Sequence, residues 1–169
     1  MAKIVTVTAK KDEKFLHQKT VLFDFGKHTK KEVGELVKEM KASMIEADGI
    51  GLAANQIGLS HHVFVARVSD KDGHMKFYAI FNPTLEKTSK NTALLSEGCL
   101  SVPKVFGEVE RALDVTLSGF DKLGKPLKIK ARGLLAHVFQ HEVDHLEGTL
   151  FIDKAKRIYD VTEHEKTKK

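Results

Sequence analysis

The stretch Gly133-Leu134-Leu135-Ala136-His137-Val138-Phe139-Gln140-His141-Glu142-Val143-Asp144-His145-Leu146 decides how this chain folds. Leu134, Leu135, Val138, Phe139 and Leu146 recur at helical spacing, so the segment is predicted as a helix buried over much of its surface. It starts at Arg132 or Gly133 and ends at Leu146, with Gly148 placed as its C-terminal stop. That apolar helix also carries His137, His141 and His145 at i, i+4 and i+8, which stacks three imidazoles along one side. Burying imidazoles without partners costs desolvation energy, and a metal ion satisfies them. His141-Glu142-x-x-His145 therefore reads as part of a metal-hydrolysis site whose third ligand lies elsewhere.

Working outward, Thr29-Lys30-Lys31-Glu32 has the form of a capping box, and Val33, Leu36, Val37, Met40 and Met44 follow at helical spacing. A helix over residues 29–47 is expected, ended by Asp48-Gly49. Strands are expected at 63–68 and 77–82, with Pro83 stopping the second or confining it to an edge. Residues 84–96 give no decided pattern, and 97–103 read as an irregular turn that exposes its backbone. Segments 115–120 and 127–130 flank Asp121-Lys122-Leu123-Gly124, a hairpin connection with glycine where a positive φ is needed. Residues 2–8 alternate like a strand. The fold class is thus α+β: short, mainly antiparallel strands packed around a buried C-terminal helix that carries the metal-binding motif. One catalytic domain over 1–169 is expected, its residues 154–169 a short basic tail.

Composition narrows the function. With 41% hydrophobic and 30% charged residues the chain has the balance of a globular protein, and no apolar run approaches the ~20 residues that cross a bilayer. Membrane insertion is not expected, and the N-terminus lacks a signal peptide's continuous apolar core, so a cytoplasmic location is expected. The net charge of +5 is scattered, densest in the tail ending Glu165-Lys166-Thr167-Lys168-Lys169. Such a tail is either simply solvated or a weak electrostatic contact to RNA or a ribosomal surface. With no Trp and only 2 Tyr, no aromatic-basic nucleic-acid module is present, and specific DNA binding is not expected.

A single cysteine, Cys99, cannot form an internal disulfide, which leaves packing, reactivity or metal ligation. A thiolate with two imidazoles leaves a tetrahedral ion one open position for water, as catalytic sites do. His137 is the rival third ligand, but using it would shift the site by one turn and disturb the role of Glu142, so Cys99, His141 and His145 are favoured. Glu142 beside a ligating histidine is placed to take a proton from water and deliver it to a leaving amine. Asp144 is read two ways, as partner to a histidine N–H or as a surface residue. Gly49-Ile50-Gly51-Leu52-Ala53-Ala54 matches a dinucleotide fingerprint, yet it lacks the strand before and the helix after. It reads better as a small-residue loop that admits an extended peptide, with the Gln56 amide directed at a developing oxyanion.

Taken together, Gly49-Ile50-Gly51-Leu52-Ala53-Ala54-Asn55-Gln56, Glu97-Gly98-Cys99-Leu100-Ser101 and Gln140-His141-Glu142-Val143-Asp144-His145 resemble, in order and spacing, the three signature motifs of the peptide deformylases. The similarity extends over about residues 4–153. It implies removal of the N-formyl group from the initiator methionine of nascent proteins, with Cys99, His141 and His145 holding a metal and Glu142 moving the proton. Gln56 and the backbone N–H of Leu100 would stabilise the oxyanion. Fe²⁺ is the metal implied first, with Zn²⁺, Ni²⁺ or Co²⁺ also able to occupy such a site. The resemblance further implies backbone contacts from Ile50, Gly51 and Gly98 to an extended N-formylmethionyl peptide, and an apolar pocket including Val138, Phe106 and His137. Glu97 and Arg111 are expected to pair and hold the cysteine segment.

Two departures from the family stand out. Lys11-Asp12-Glu13-Lys14-Phe15-Leu16 lacks a Pro-Asp pair, and 16 residues follow Asp153, so a long C-terminal helix for ribosome contact is expected to be shortened. Basic residues at 154–157 and in the tail leave a weaker ribosome contact. The competing functions are a metallopeptidase, which would ordinarily take a third His or Glu in place of Cys99, and an inactive relative that binds peptides or ribosomes.

Overall fold

Thr29 caps the first long helix as its position predicts: its hydroxyl accepts from the Glu32 N–H at 3.2 Å, and the Glu32 carboxylate accepts from the Thr29 N–H at 2.7 Å. The computed structural model describes residues 2–161. In chain order the elements are α1 (Lys10–Leu16), α2 (Lys30–Glu46), β1 (Gly51–Ala53), β2 (Val63–Ser69), β3 (Met75–Thr88), β4 (Thr92–Cys99), β5 (Val102–Ala112), β6 (Asp114–Phe120), β7 (Pro126–Arg132), α3 (Leu134–Leu146), α4 (Phe151–Lys154) and β8 (Arg157–Asp160). One sheet has the order β1-β2-β3-β6-β7 and the other β4-β5-β8, and every named strand pair is antiparallel. The architecture is α+β. No helix among the described residues is long and apolar enough to cross a membrane.

The larger sheet is covered on both faces, which explains why β2 has little polar alternation. Val63 and Val65 pack with Leu52 and Phe81 against Val33, Val37, Met40 and Met44 of α2. Phe64, Ala66 and Val68 face the other way, onto Ala136, Val138, Phe139, Val143 and Leu146 of α3. Phe139 is fully buried, and truncating such a ring to alanine costs about 3–5 kcal/mol. α3 also touches β5, so the histidine helix lies where both sheets reach it. Gly133 precedes it at φ 56° and Gly148 follows it at φ 75°, backbone values that glycine adopts without strain.

Several sequence expectations are corrected. Residues 2–8 form no strand: Val5 N–H donates to Gln56 O and Val7 N–H to Ser101 O, two isolated bonds rather than a ladder. Pro83 neither stops β3 nor sits on an edge strand, because β3 lies between β2 and β6. The strand accommodates it through a register shift between Phe81 and Thr84, with Asn82 at φ 48°. The undecided 84–96 region is the second half of β3 followed by most of β4. Cys99 ends β4 rather than occupying an irregular loop, and Leu100 and Ser101 turn the chain into β5. Of the expected basic tail, Lys154 ends helix α4 and Arg157–Asp160 pairs with β5 as a strand. The Glu165–Lys169 cluster lies outside the described residues.

Candidate active site

The hairpin of β4 and β5 brings Cys99 to α3. Cys99 Sγ lies 3.1 Å from His145 Nε2, and one ligand atom each from Cys99, His141 and His145 fall within 4.8 Å of one another. Glu97 Oε2 accepts from His141 Nδ1–H at 2.8 Å, which fixes that ring and leaves Nε2 for another partner. His137, the rival ligand, instead donates from Nε2 to Glu97 Oε1 at 2.8 Å. The donor set of one thiol and two imidazoles suits a borderline-soft divalent ion with an open position, so these residues fit the metal that the motif implies.

Behind this group stands a buried ion cluster. Arg111 donates to both oxygens of Glu97, from Nε at 2.6 Å and from Nη2 at 3.0 Å, as the pairing of the two residues anticipated. Its Nη1 reaches Asp144 Oδ2 at 2.6 Å, while Asp144 Oδ1 accepts from Lys154 at 2.6 Å. Asp144 therefore takes neither role read from the sequence, partnering no histidine among the described residues and joining a charge network instead. Burial pushes the Glu97 carboxyl up, but hydrogen bonds from His137, His141 and Arg111 outweigh it and hold the group far below the usual carboxylate range. Glu97 is thus an anion set behind two histidines.

The front of the site has a different balance. Burial pushes the Cys99 thiol up to about 12, against weaker opposing hydrogen bonds from backbone N–H groups. Burial raises Glu142 well above its ordinary range, with the charge of Glu97 adding to it, and lowers His145, with His141 adding to that. Glu142 Oε2 and His145 Nδ1 are buried atoms with no hydrogen-bond partner among the described residues. Groups desolvated in this way gain most from a cation and a polar substrate. Glu142 has room only because residue 51 is glycine: a Cβ there would overlap Glu142 Oε1 and stand 2.7 Å from Cδ.

Gln56 comes from the 3-10 turn Ala54–Ile57 that follows β1. Ala53 N–H donates to Gln56 Oε1 at 2.9 Å, which orients the amide so that Nε2 faces Cys99 Sγ at 3.4 Å and Ser101 Oγ at 3.2 Å. The cleft in front, about 570 Å³, is lined by Ile50, Gly51, Gln56, Gly98, Cys99, Leu100, Val138, His141 and Glu142, so these predicted residues converge on one cavity. His145 stands behind that lining, 1% exposed. Phe106 and His137 also line the cleft, joined by Leu134 and Ser96, which had no assigned place in it.

Three supports had no assigned role in the sequence reading. Asn55 Nδ2 donates to His145 O at 2.6 Å. Ser101, fully buried, meets Gln56, and Gln140 clamps α3 to β5 through the N–H and C=O of Ala112. Their signal was available as polar residues inside otherwise small or apolar motifs, where burial demands a partner.

The geometry can be set beside known proteins. The family model described as polypeptide deformylase matches residues 1–160. A peptide deformylase of Halothermothrix orenii is 43% identical over 130 residues, covering 77% of this chain and 81% of that protein. The crystal structure of a probable peptide deformylase from Synechococcus phage S-SSM7 superimposes with a TM-score of 0.81 at 38% identity, over 91% of this chain and 99% of that one. A class I type b peptide deformylase from Acinetobacter baumannii, crystallised with Met-Ala-Ser bound, gives 0.82 at 28% identity over 91% and 98%.

Proposed function

The chain belongs to the peptide deformylase family, and from that premise we propose a residue-level mechanism for removing the N-formyl group from the initiator methionine of nascent proteins. The observation that carries it is the meeting of Cys99, His141 and His145 within 4.8 Å, beside a buried Glu142 with an oxygen unpartnered among the described residues. Cys99, His141 and His145 would hold one divalent ion, Fe²⁺ first and Zn²⁺, Ni²⁺ or Co²⁺ as substitutes. When bound, the ion supplies Lewis-acid polarisation and a nucleophilic water at neutral pH.

The remaining work falls to the protein. Ile50, Gly51 and Gly98 offer backbone groups to an extended peptide, and Val138, Phe106 and Leu134 provide apolar surface for the methionine side chain. Gln56 Nε2 and the Leu100 N–H donate to the oxyanion as the formyl carbon becomes tetrahedral. Glu142 accepts the proton of the attacking water and delivers it to the methionine nitrogen. The C–O bond forms, the C–N bond breaks, and formate leaves with a free amine. The chain acts as one catalytic unit in the cytoplasm, where nascent chains emerge. The basic residues at 154–157, of which Lys154 pairs with Asp144 and Lys156 with Glu110, provide with the C-terminal lysines only a weak, salt-sensitive ribosome contact.

Protein prepared anaerobically with Fe²⁺ should release formate from N-formyl-Met-Ala-Ser and lose that activity on chelation, recovering it when metal is restored. Cys99→Ala should fail to retain the ion. Wild-type protein with one bound metal and no formate release would overturn the reading, and metal retention by Cys99→Ala would overturn the ligand set.

A further inference from the structure

β8 completes the small sheet, and in its register Tyr159 lies opposite Phe106. The two rings are nearly parallel, 14° apart with centroids 6.3 Å from each other. Phe106 in turn lies opposite Gly98 and presses on it, since a Cβ at 98 would stand 2.8 Å from Phe106 Cε1. The Tyr159 hydroxyl shares a 2.6 Å hydrogen bond with Ser96 Oγ. On the β8 side the Arg157 guanidinium sits 5.6 Å from the Tyr159 ring centroid. Ser96, Gly98 and Phe106 line the cleft, whereas Tyr159 stands outside it. One ring thus contacts two lining residues from the neighbouring strand, and the contact of Phe106 with Gly98 carries its position to the residue before Cys99.

We propose that Tyr159 is a positioning residue for substrate binding, fixing the Phe106 and Ser96 wall against which an extended, apolar N-formyl peptide lies. The proposal rests on the deformylase reading for its substrate. Loss of Tyr159 is expected to change the shape of the wall, and metal content reads whether Cys99 and the histidines keep their places. The hydroxyl sets the height of the Ser96 edge, and the ring face sets the tilt of Phe106.

Steady-state kinetics with N-formyl-Met-Ala-Ser separate these parts. Tyr159→Ala should raise KM about tenfold, the scale of one aromatic pair plus one hydrogen bond, with kcat within about twofold of wild type and metal content unchanged. Tyr159→Phe keeps the stack, and it and Ser96→Ala should each raise KM about threefold, with the double variant no worse than either single one. In Zn²⁺-loaded protein, Tyr159→Phe should shift the Gly98 and Phe106 amide NMR signals while those of β2 stay fixed. Unchanged KM with unmoved Gly98 and Phe106 amides would overturn the proposal, as would a fall of kcat and metal content together. Should Tyr159→Ala fail to fold, Tyr159→Phe and Ser96→Ala decide it. If wild-type protein released no formate, the deformylase reading would fail, while the amide shifts would still decide whether Tyr159 sets the wall.

Discussion

On the Arg111 side of α3 the buried charges are matched: Nε, Nη1 and Nη2 of Arg111 each reach a carboxylate, and both Glu97 oxygens hold a histidine as well. On the Cys99 side, Glu142 Oε2 and His145 Nδ1 have no hydrogen-bond partner among the described residues, and burial drives the thiol, the carboxyl and the imidazole toward their neutral forms. Both sides are buried, so burial alone does not mark function. On the matched side the charges already have partners, whereas on the other side Glu142 Oε2 is left for a polar group that binds. His62 offers an internal control for the first kind. It is 3% exposed, yet Nδ1 meets the Thr20 hydroxyl at 2.7 Å and Nε2 meets the Pro83 carbonyl at 3.3 Å.

The comparison can be broken first at the scaffold. Arg111→Ala should destabilise the fold by about 3–5 kcal/mol by leaving Glu97 a buried, uncompensated charge. It should also weaken metal binding by about 10–100-fold, because the carboxylate that orients His141 loses its anchor. Denaturant titration and competition with a chelator read these two effects. Unchanged stability and metal affinity would make the cluster incidental.

Next comes the space around Glu142. Gly51→Ala forces that side chain aside, so kcat should fall about 10²-fold, the usual result of displacing a reacting group by about 1 Å. Metal content should stay at the wild-type level. Normal turnover in this variant would show that the position of Glu142 is not critical.

The smallest effect belongs to the control. Burial lowers the His62 pKa, partly offset by its hydrogen bond to the Pro83 carbonyl. The unfolded chain therefore takes up this proton first, and stability falls as pH drops below the ordinary histidine value of 6.5. His62→Gln should flatten the fall of Tm between pH 6.5 and 5 by at most one proton's worth, with formate release at neutral pH unaffected. An unchanged slope would remove His62 from the acid sensitivity.

Local signals in the sequence carried the local structure. The Thr29 capping box, the apolar spacing of α3, Gly148 and the Asp121–Gly124 turn each depend on residues a few positions apart. What was not legible depends on distant pairing. Pro83 reads as a strand breaker until β6 is known to tolerate a register shift, and residues 84–96 look featureless because β4 finds its partner only in β5. The same holds within the site. Residue types and motif order nominated Cys99, His141, His145, Glu142 and Gln56, since those groups have few uses when grouped. The binding of Asp144 to Arg111 and Lys154, the clearance that Gly51 gives Glu142, and the reach of Tyr159 to Ser96 are contacts between separated segments. No spacing rule encodes them.

The central claim is that the unmatched side of α3 performs the chemistry and that Glu142 is its proton carrier. Glu142→Gln, assayed for metal content and formate release in one preparation, tests it most directly. The expected result is wild-type metal content with turnover of N-formyl-Met-Ala-Ser reduced by about 10²–10⁴-fold. Wild-type turnover with the metal in place would contradict the claim.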